Sequence, residues 1–180
     1  MSNRSTLVIL MGCIGVFIFI QYVSPGKPKA VKVSHYRVPS KQPGDSRFSS
    51  TFDSSEQKRP YVVNFWASWC TACKKETPLL VAFWSEFMGR GIDMVGIASY
   101  DKAEDSLAAL RNKVLPYEVL SDEAGDIARK FDVSGLPQTF LMAPDGTVIW
   151  RRKGALNADD IQSLQESLQG LAKPALHSRL

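Results

Sequence analysis

Cys70 and Cys73 stand three residues apart in the stretch NFWASWCTACKKETP, residues 64–78. Two thiols at that spacing can close a disulfide, share a soft metal ion, or lie buried and inert. At a helix start, side chains three positions apart share a face, with Cβ atoms about 5–6 Å apart. Cα atoms at that spacing fall in the disulfide range, so the pair can close and open with little backbone movement. Cys70 falls at the expected helix start, where unpaired N–H groups and the helix dipole favour a thiolate. Moving a thiol pKa from ~8.5 toward ~7 corresponds to about 2 kcal/mol of preference for the anion. Cys70 is therefore expected to attack, and Cys73, inside the first turn and more shielded, to resolve the mixed disulfide.

The other chemistries fit less well. A structural zinc site takes about four ligands. The third cysteine, Cys13, lies in an N-terminal apolar run, and His35 and His177 lie near opposite ends of the chain. Copper(I) can be held by two thiolates, so a copper-binding delivery module stands as a reading of another class. A helix start is a poor place for inert thiols. Dithiol–disulfide exchange needs no metal or organic cofactor, because the Cys70–Cys73 pair itself carries the electrons.

The elements that must position this pair are legible from patterning. YVVNFWAS, residues 61–68, is apolar nearly throughout and reads as a strand buried on both faces. After Cys70 the period becomes helical, with Leu79, Leu80, Phe83, Trp84 and Phe87 on one side and Gly89 and Gly91 at the end. IDMVGIAS (92–99) predicts a second buried strand, AEDSLAALRNKV (103–114) an amphipathic helix, YEVLSD a short strand and EAGDIARKFDV a short helix. Residues 138–154 predict two strands joined at Pro144-Asp145-Gly146, and NADDIQSLQESLQGL a helix capped by Asn157. Parallel crossovers followed by a hairpin give an α/β fold, a central mixed β-sheet flanked by helices in the strand–helix order of a thioredoxin-like sandwich.

Composition bounds the rest. The chain has 180 residues, a net charge of +4, 44% hydrophobic residues and four tryptophans, enough for a packed core. No Lys/Arg array with interleaved aromatics suggests nucleic-acid binding. Residues 6–23, TLVILMGCIGVFIFIQYV, at 1.5 Å per residue give roughly 27 Å, close to the hydrocarbon thickness of a bilayer. No small-residue cleavage site follows, so an uncleaved single-span anchor is expected. LMGC, residues 10–13, offers lipidation of Cys13 as a rival reading. The expected organisation is an N-terminal transmembrane anchor (1–23), a Pro/Lys/Ser-rich tether (24–57) with a short strand near VKVSHYRV, a thioredoxin-like domain (58–173) and a tail (174–180). Arg4 precedes the span and Lys27, Lys29, Lys32 and Arg37 follow it, which by the positive-inside rule alone favours a cytoplasmic domain.

VVNFWASWCTACKKETP together with VSGLPQTFLMAPDGTVIWRRKG resembles the membrane-anchored thioredoxin-like thiol-disulfide oxidoreductases of the TlpA/ResA and DsbE/CcmG type. The resemblance covers roughly residues 58–170. It implies a domain outside the bacterial inner membrane, facing the periplasm or extracytoplasmic space. It implies reduction of client disulfides, apocytochrome c foremost, during cytochrome c maturation. It also implies re-reduction by an upstream membrane thiol donor of the DsbD/CcdA kind. Residue by residue, Trp69 matches the tryptophan packed beside the redox pair and Pro78 the proline that kinks the first helix. Pro137, after Leu136, matches a cis-proline facing the cysteines, where exposed backbone can pair with a client strand. Glu76, one turn past Cys73, matches a carboxylate that moves protons and, by its charge, favours a reducing pair.

The sequence departs from ordinary thioredoxin at Asn64, which stands where a buried aspartate handles protons; Asn64 cannot ionise, and Glu76 is the nearest replacement by sequence. Thr71-Ala72 between the cysteines contains no His to stabilise the Cys70 thiolate, which disfavours a strong oxidant. A general reductase or weak oxidase with broad clients is the neighbouring alternative. The family's N-terminal hairpin has no clear pattern in residues 31–56.

Overall fold

The computed structural model describes residues 37–39, 51–110 and 115–172. The apolar run 6–23, with Cys13, lies outside them, as do His35, His177 and the tail 174–180. Among the described residues, no helix is long and apolar enough to cross a membrane.

In chain order the elements are β1 (Arg37–Pro39), β2 (Thr51–Asp53), β3 (Tyr61–Trp66), α1 (Thr71–Phe87), β4 (Asp93–Ser99), α2 (Ala103–Leu110), β5 (Glu118–Asp122), α3 (Asp126–Lys130), β6 (Gln138–Met142), β7 (Val148–Lys153) and α4 (Ala158–Ala172). Strands β3 to β7 form one sheet in the order β5-β4-β3-β6-β7. β3 runs parallel to β4 and β4 to β5, while β6 and β7 run antiparallel to their neighbours. The sheet is the mixed one predicted, and the fold is thioredoxin-like. β1 and β2 pair antiparallel with each other, Val38 opposite Phe52. Both fall inside the segment read as a tether. β1 overlaps the short strand expected near VKVSHYRV, whereas β2 carries too little alternation to show as a pattern.

β3 is central because both its faces are apolar. Tyr61, Val63 and Phe65 face one way, into a cluster with Val95, Ile97, Leu120, Ile127, Ala128, Phe131 and Phe140 under α3. The rings of Phe65, Phe131 and Phe140 meet edge to face at 5.0–5.7 Å. Val62 faces the other way, toward Leu80, Phe83 and Trp84 of α1 and Leu164 and Leu168 of α4. Asn64 shares that second face by the two-residue period of a strand. β7 closes the edge with alternating half-buried and exposed residues, ending in Arg151, Arg152 and Lys153. Charged side chains on an edge strand discourage pairing with another chain.

The topology brings three segments to one end of the sheet. β3 and β4 are parallel, so their carboxyl ends, leading to Ser68–Cys70 and to Tyr100–Asp101, emerge together. β6 is antiparallel to β3, so its beginning, Leu136–Pro137, arrives at the same end. Ligand and reaction sites in open α/β sheets gather at the carboxyl ends of parallel strands.

Candidate active site

Cys70 is the N-cap of α1, with φ −80° and ψ 104°, and its Sγ accepts a hydrogen bond from the Cys73 N–H at 3.1 Å. That bond occupies the place where a Ser or Asp cap oxygen would ordinarily sit. The two sulfurs are joined as a disulfide, with the Cα atoms 5.3 Å apart. Cys70 is 5% exposed and Cys73 3%. The expected contrast in shielding is therefore small in the oxidised state. What distinguishes Cys70 is its place at the cap, where the Cys73 N–H is directed at its sulfur.

Ala67, Cys70 and Cys73 form a small apolar cluster, with Trp66, Ala72 and Leu136 packed against it. The Leu136–Pro137 bond is cis, as predicted, and Pro137 is buried. Leu136, Pro137 and the cysteines are thus one neighbourhood. Trp66 packs against the cysteine cluster, whereas Trp69 is 60% exposed, its indole N–H bound to the Tyr100 carbonyl at 3.0 Å. Pro78 stands inside α1 without ending it.

Glu76 lies one turn beyond Cys73 and is 1% exposed. Its Oε1 accepts from Asn64 Nδ2 at 2.9 Å and its Oε2 from the Leu156 N–H at 2.7 Å. Asn64 Nδ2 also reaches Thr139 Oγ1 at 3.0 Å. The side chain is thus buried and hydrogen-bonded rather than solvated. The thioredoxin aspartate position and its replacement carboxylate are in direct hydrogen-bond contact. Burial pushes the Glu76 carboxyl above the ordinary carboxylate range; the Leu156 N–H and the Asn64 amide pull it down, and the charge of Asp160 pushes it up again. Burial, with the charge of Glu76 second, also pushes the Tyr117 phenol up. Arg152, in register with Thr139, forms an ion pair with Asp160 at 3.2 Å.

Residues that the sequence did not single out hold the loops at this end of the sheet in place. Asp101, 3% exposed, accepts the Ser68 N–H at 2.6 Å and the Ser68 hydroxyl at 2.8 Å. Asp122 accepts the Ser99 hydroxyl at 2.8 Å and the N–H groups of Ile127 and Ala128 at 3.0 and 2.9 Å. Both aspartates sit at the ends of parallel strands, which is the signal that could have marked them. Among the described residues, no group of three or more His, Cys, Asp or Glu is placed to hold a metal ion.

A disulfide capping the helix after the first strand of such a sheet, beside a proline loop, defines a thioredoxin-like redox domain. The model of the AhpC/TSA family matches residues 36–151, and the chain belongs to that family. It is 37% identical over 125 residues to the thiol:disulfide interchange protein DsbE of Xylella fastidiosa strain 9a5c, covering 66% of this chain and 62% of that protein. It is 30% identical over 116 residues to the thiol-disulfide oxidoreductase ResA of Bacillus subtilis strain 168, covering 62% of this chain and 60% of that one. The chain thus spans less than two thirds of these curated relatives. Among solved structures, StoA from Bacillus subtilis superposes with a TM-score of 0.61 at 16% identity, over 74% of this chain and 96% of that chain. A Chlorobium tepidum protein provisionally assigned as DsbE gives 0.68 at 21%, over 81% and 98%.

Proposed function

We propose that this protein is a thiol-disulfide oxidoreductase that reduces disulfides in client proteins outside the cytoplasmic membrane, apocytochrome c being the leading client. The observation that carries this reading is the Cys70–Cys73 disulfide at the cap of α1, with a buried carboxylate one turn further in. In the reduced protein the Cys70 thiolate attacks one sulfur of the client disulfide. A bond forms between Cys70 and the client, the client S–S bond breaks, and the expelled client thiolate takes up a proton. Cys73 then loses its proton and attacks Cys70 Sγ. The intermolecular bond breaks, the Cys70–Cys73 disulfide closes, and the second client thiolate is protonated. The client gains two electrons and two protons.

Glu76 receives the Cys73 proton in this scheme. Burial raises its pKa above the ordinary carboxylate range, which makes it a better proton acceptor than an exposed carboxylate. Its negative charge opposes a thiolate at Cys73 and so favours a reducing pair. Leu136 and Pro137, beside the cysteines, and Trp69, exposed next to Cys70, receive the client chain. An upstream membrane dithiol donor of the DsbD/CcdA kind returns the disulfide to the reduced state. The relatives named thiol:disulfide interchange protein DsbE and thiol-disulfide oxidoreductase ResA support dithiol–disulfide exchange as the chemistry, and no cofactor beyond the cysteine pair is required. Residues 6–23 anchor the chain in the inner membrane with the domain on the periplasmic side; protease accessibility in spheroplasts is the check, and complete protection of the domain would place it in the cytoplasm.

The test is redox equilibration with a peptide disulfide of the Cys-x-x-Cys-His type. The reduced protein is expected to convert the peptide to its dithiol, one peptide per protein, with appearance of the Cys70–Cys73 disulfide. An equilibrium lying toward the peptide disulfide would make the protein an oxidase instead.

A further inference from the structure

We propose that Tyr100 is a specificity-determining residue that, with Trp69, forms a two-ring platform for an apolar or aromatic side chain next to the client's cysteine. The inference rests on the oxidoreductase reading and adds to it the kind of client segment recognised. Trp69 and Tyr100 are 60% and 43% exposed, among the few large hydrophobic side chains at the surface of the described residues. They are joined, because the Trp69 indole N–H is bound by the Tyr100 carbonyl. That bond uses the only donor of the indole, so what Trp69 presents outward is apolar ring surface.

Tyr100 is held in an unusual way. Its φ is +55°, a left-handed conformation that bulky residues seldom adopt and that clusters at functional sites. The conformation is enforced from both sides. The Tyr100 N–H is bound to the Asp122 carbonyl at 3.2 Å, Ser99 before it is bound to the Asp122 carboxylate, and Asp101 after it clasps Ser68. The ring lies directly over Gly125, where an added Cβ would come within 2.0 Å of it. Gly125 thus supplies both the space for the ring and, at φ +73°, a backbone that side chains rarely tolerate. A structure that fixes an exposed tyrosine by four separate restraints presents that ring for contact.

The occupant follows from the covalent chemistry. Any chain whose cysteine is joined to Cys70 in a mixed disulfide is tethered at Sγ, one residue from Trp69. The client residues next to that cysteine therefore lie close to Trp69, to which Tyr100 is bonded, and to Leu136, which packs on the cysteine cluster. Exposed aromatic surface rewards an apolar or aromatic neighbour there and gives little to a small or charged one.

The experiment compares two peptides, each closed by one Cys-x-x-Cys disulfide, that differ only in Phe or Ala before the first cysteine. The reduced full-length protein is expected to reduce the Phe peptide about threefold or more faster, within the range aromatic contacts provide. Tyr100→Asn, whose side chain tolerates the left-handed backbone, should bring the ratio close to one, while Tyr100→Phe should retain it. A ratio measures preference, so a general loss of fold or activity would lower both rates and leave it unchanged. The inference is overturned if the natural protein shows no preference, or if Tyr100→Asn keeps it. If the natural protein reduces neither peptide, the oxidoreductase reading fails and this inference with it.

Discussion

Glu76 is the residue on which the chemistry of the site turns. A carboxyl group with 1% exposure carries a cost when ionised that its two hydrogen bonds only partly offset. Its folded pKa is raised, so its contribution to stability is fully present below the unfolded value, about 4.3. It is lost as pH rises through the folded value. In Glu76→Gln, with no charge to bury, that loss should vanish. We predict that the urea midpoint of the oxidised natural protein falls relative to Glu76→Gln between pH 4 and pH 8. The change corresponds to about 1.4 kcal/mol for each pH unit by which the folded pKa exceeds the unfolded one. Parallel curves would show that Glu76 titrates normally and is unsuited to the proton role. Glu76 and Asn64 were each legible in the sequence, one by its place after Cys73 and the other by its place in the strand. Their contact with Thr139 and with the Leu156 N–H was not, because those partners lie 75 and 80 residues away along the chain.

At the scale of elements, α4 is more than a cover for the sheet. Asn157 Oδ1 accepts the Asp160 N–H at 2.9 Å, and Asp160 Oδ2 accepts the Asn157 N–H at 3.0 Å. This reciprocal cap fixes the chain just after Leu156, whose N–H binds Glu76. The cap was readable from NADD, but its link to the redox site was not. Asn157→Ala should cost about 1 kcal/mol of stability. It should also release the Leu156 amide to faster hydrogen exchange, because that N–H is held between the cap and Glu76. Unchanged protection of Leu156 would separate the helix cap from the site. Strands β3, β4 and β6 were legible because burial on both faces makes them near-continuous apolar runs, and helix α1 because its buried face recurs with a helical period. β1 was legible only as a short strand near VKVSHYRV and β2 was not, since so few residues in each leave pairing to be decided by contacts far along the chain.

For the whole molecule, the fold acts as a means of bringing three loops to one sheet end. The CxxC turn, the Tyr100–Asp101 loop and the Leu136–Pro137 loop meet there, and hydrogen bonds from Ser68 and Trp69 fasten the first to the second. The first and third were legible from motifs. The second was not, because a Ser-Tyr-Asp sequence after a strand has no distinguishing pattern until its neighbours are known. The central claim is that Cys70 attacks a client disulfide and Cys73 resolves it. The most direct measurement is trapping with the full-length Cys73→Ser and Cys70→Ser variants, each reduced and mixed with a Cys-x-x-Cys-His peptide disulfide, followed by mass analysis. Cys73→Ser is predicted to accumulate a one-to-one mixed disulfide through Cys70, removable by a dithiol, while Cys70→Ser accumulates little. A stable adduct on Cys73 in Cys70→Ser, with none on Cys70, would contradict the assignment.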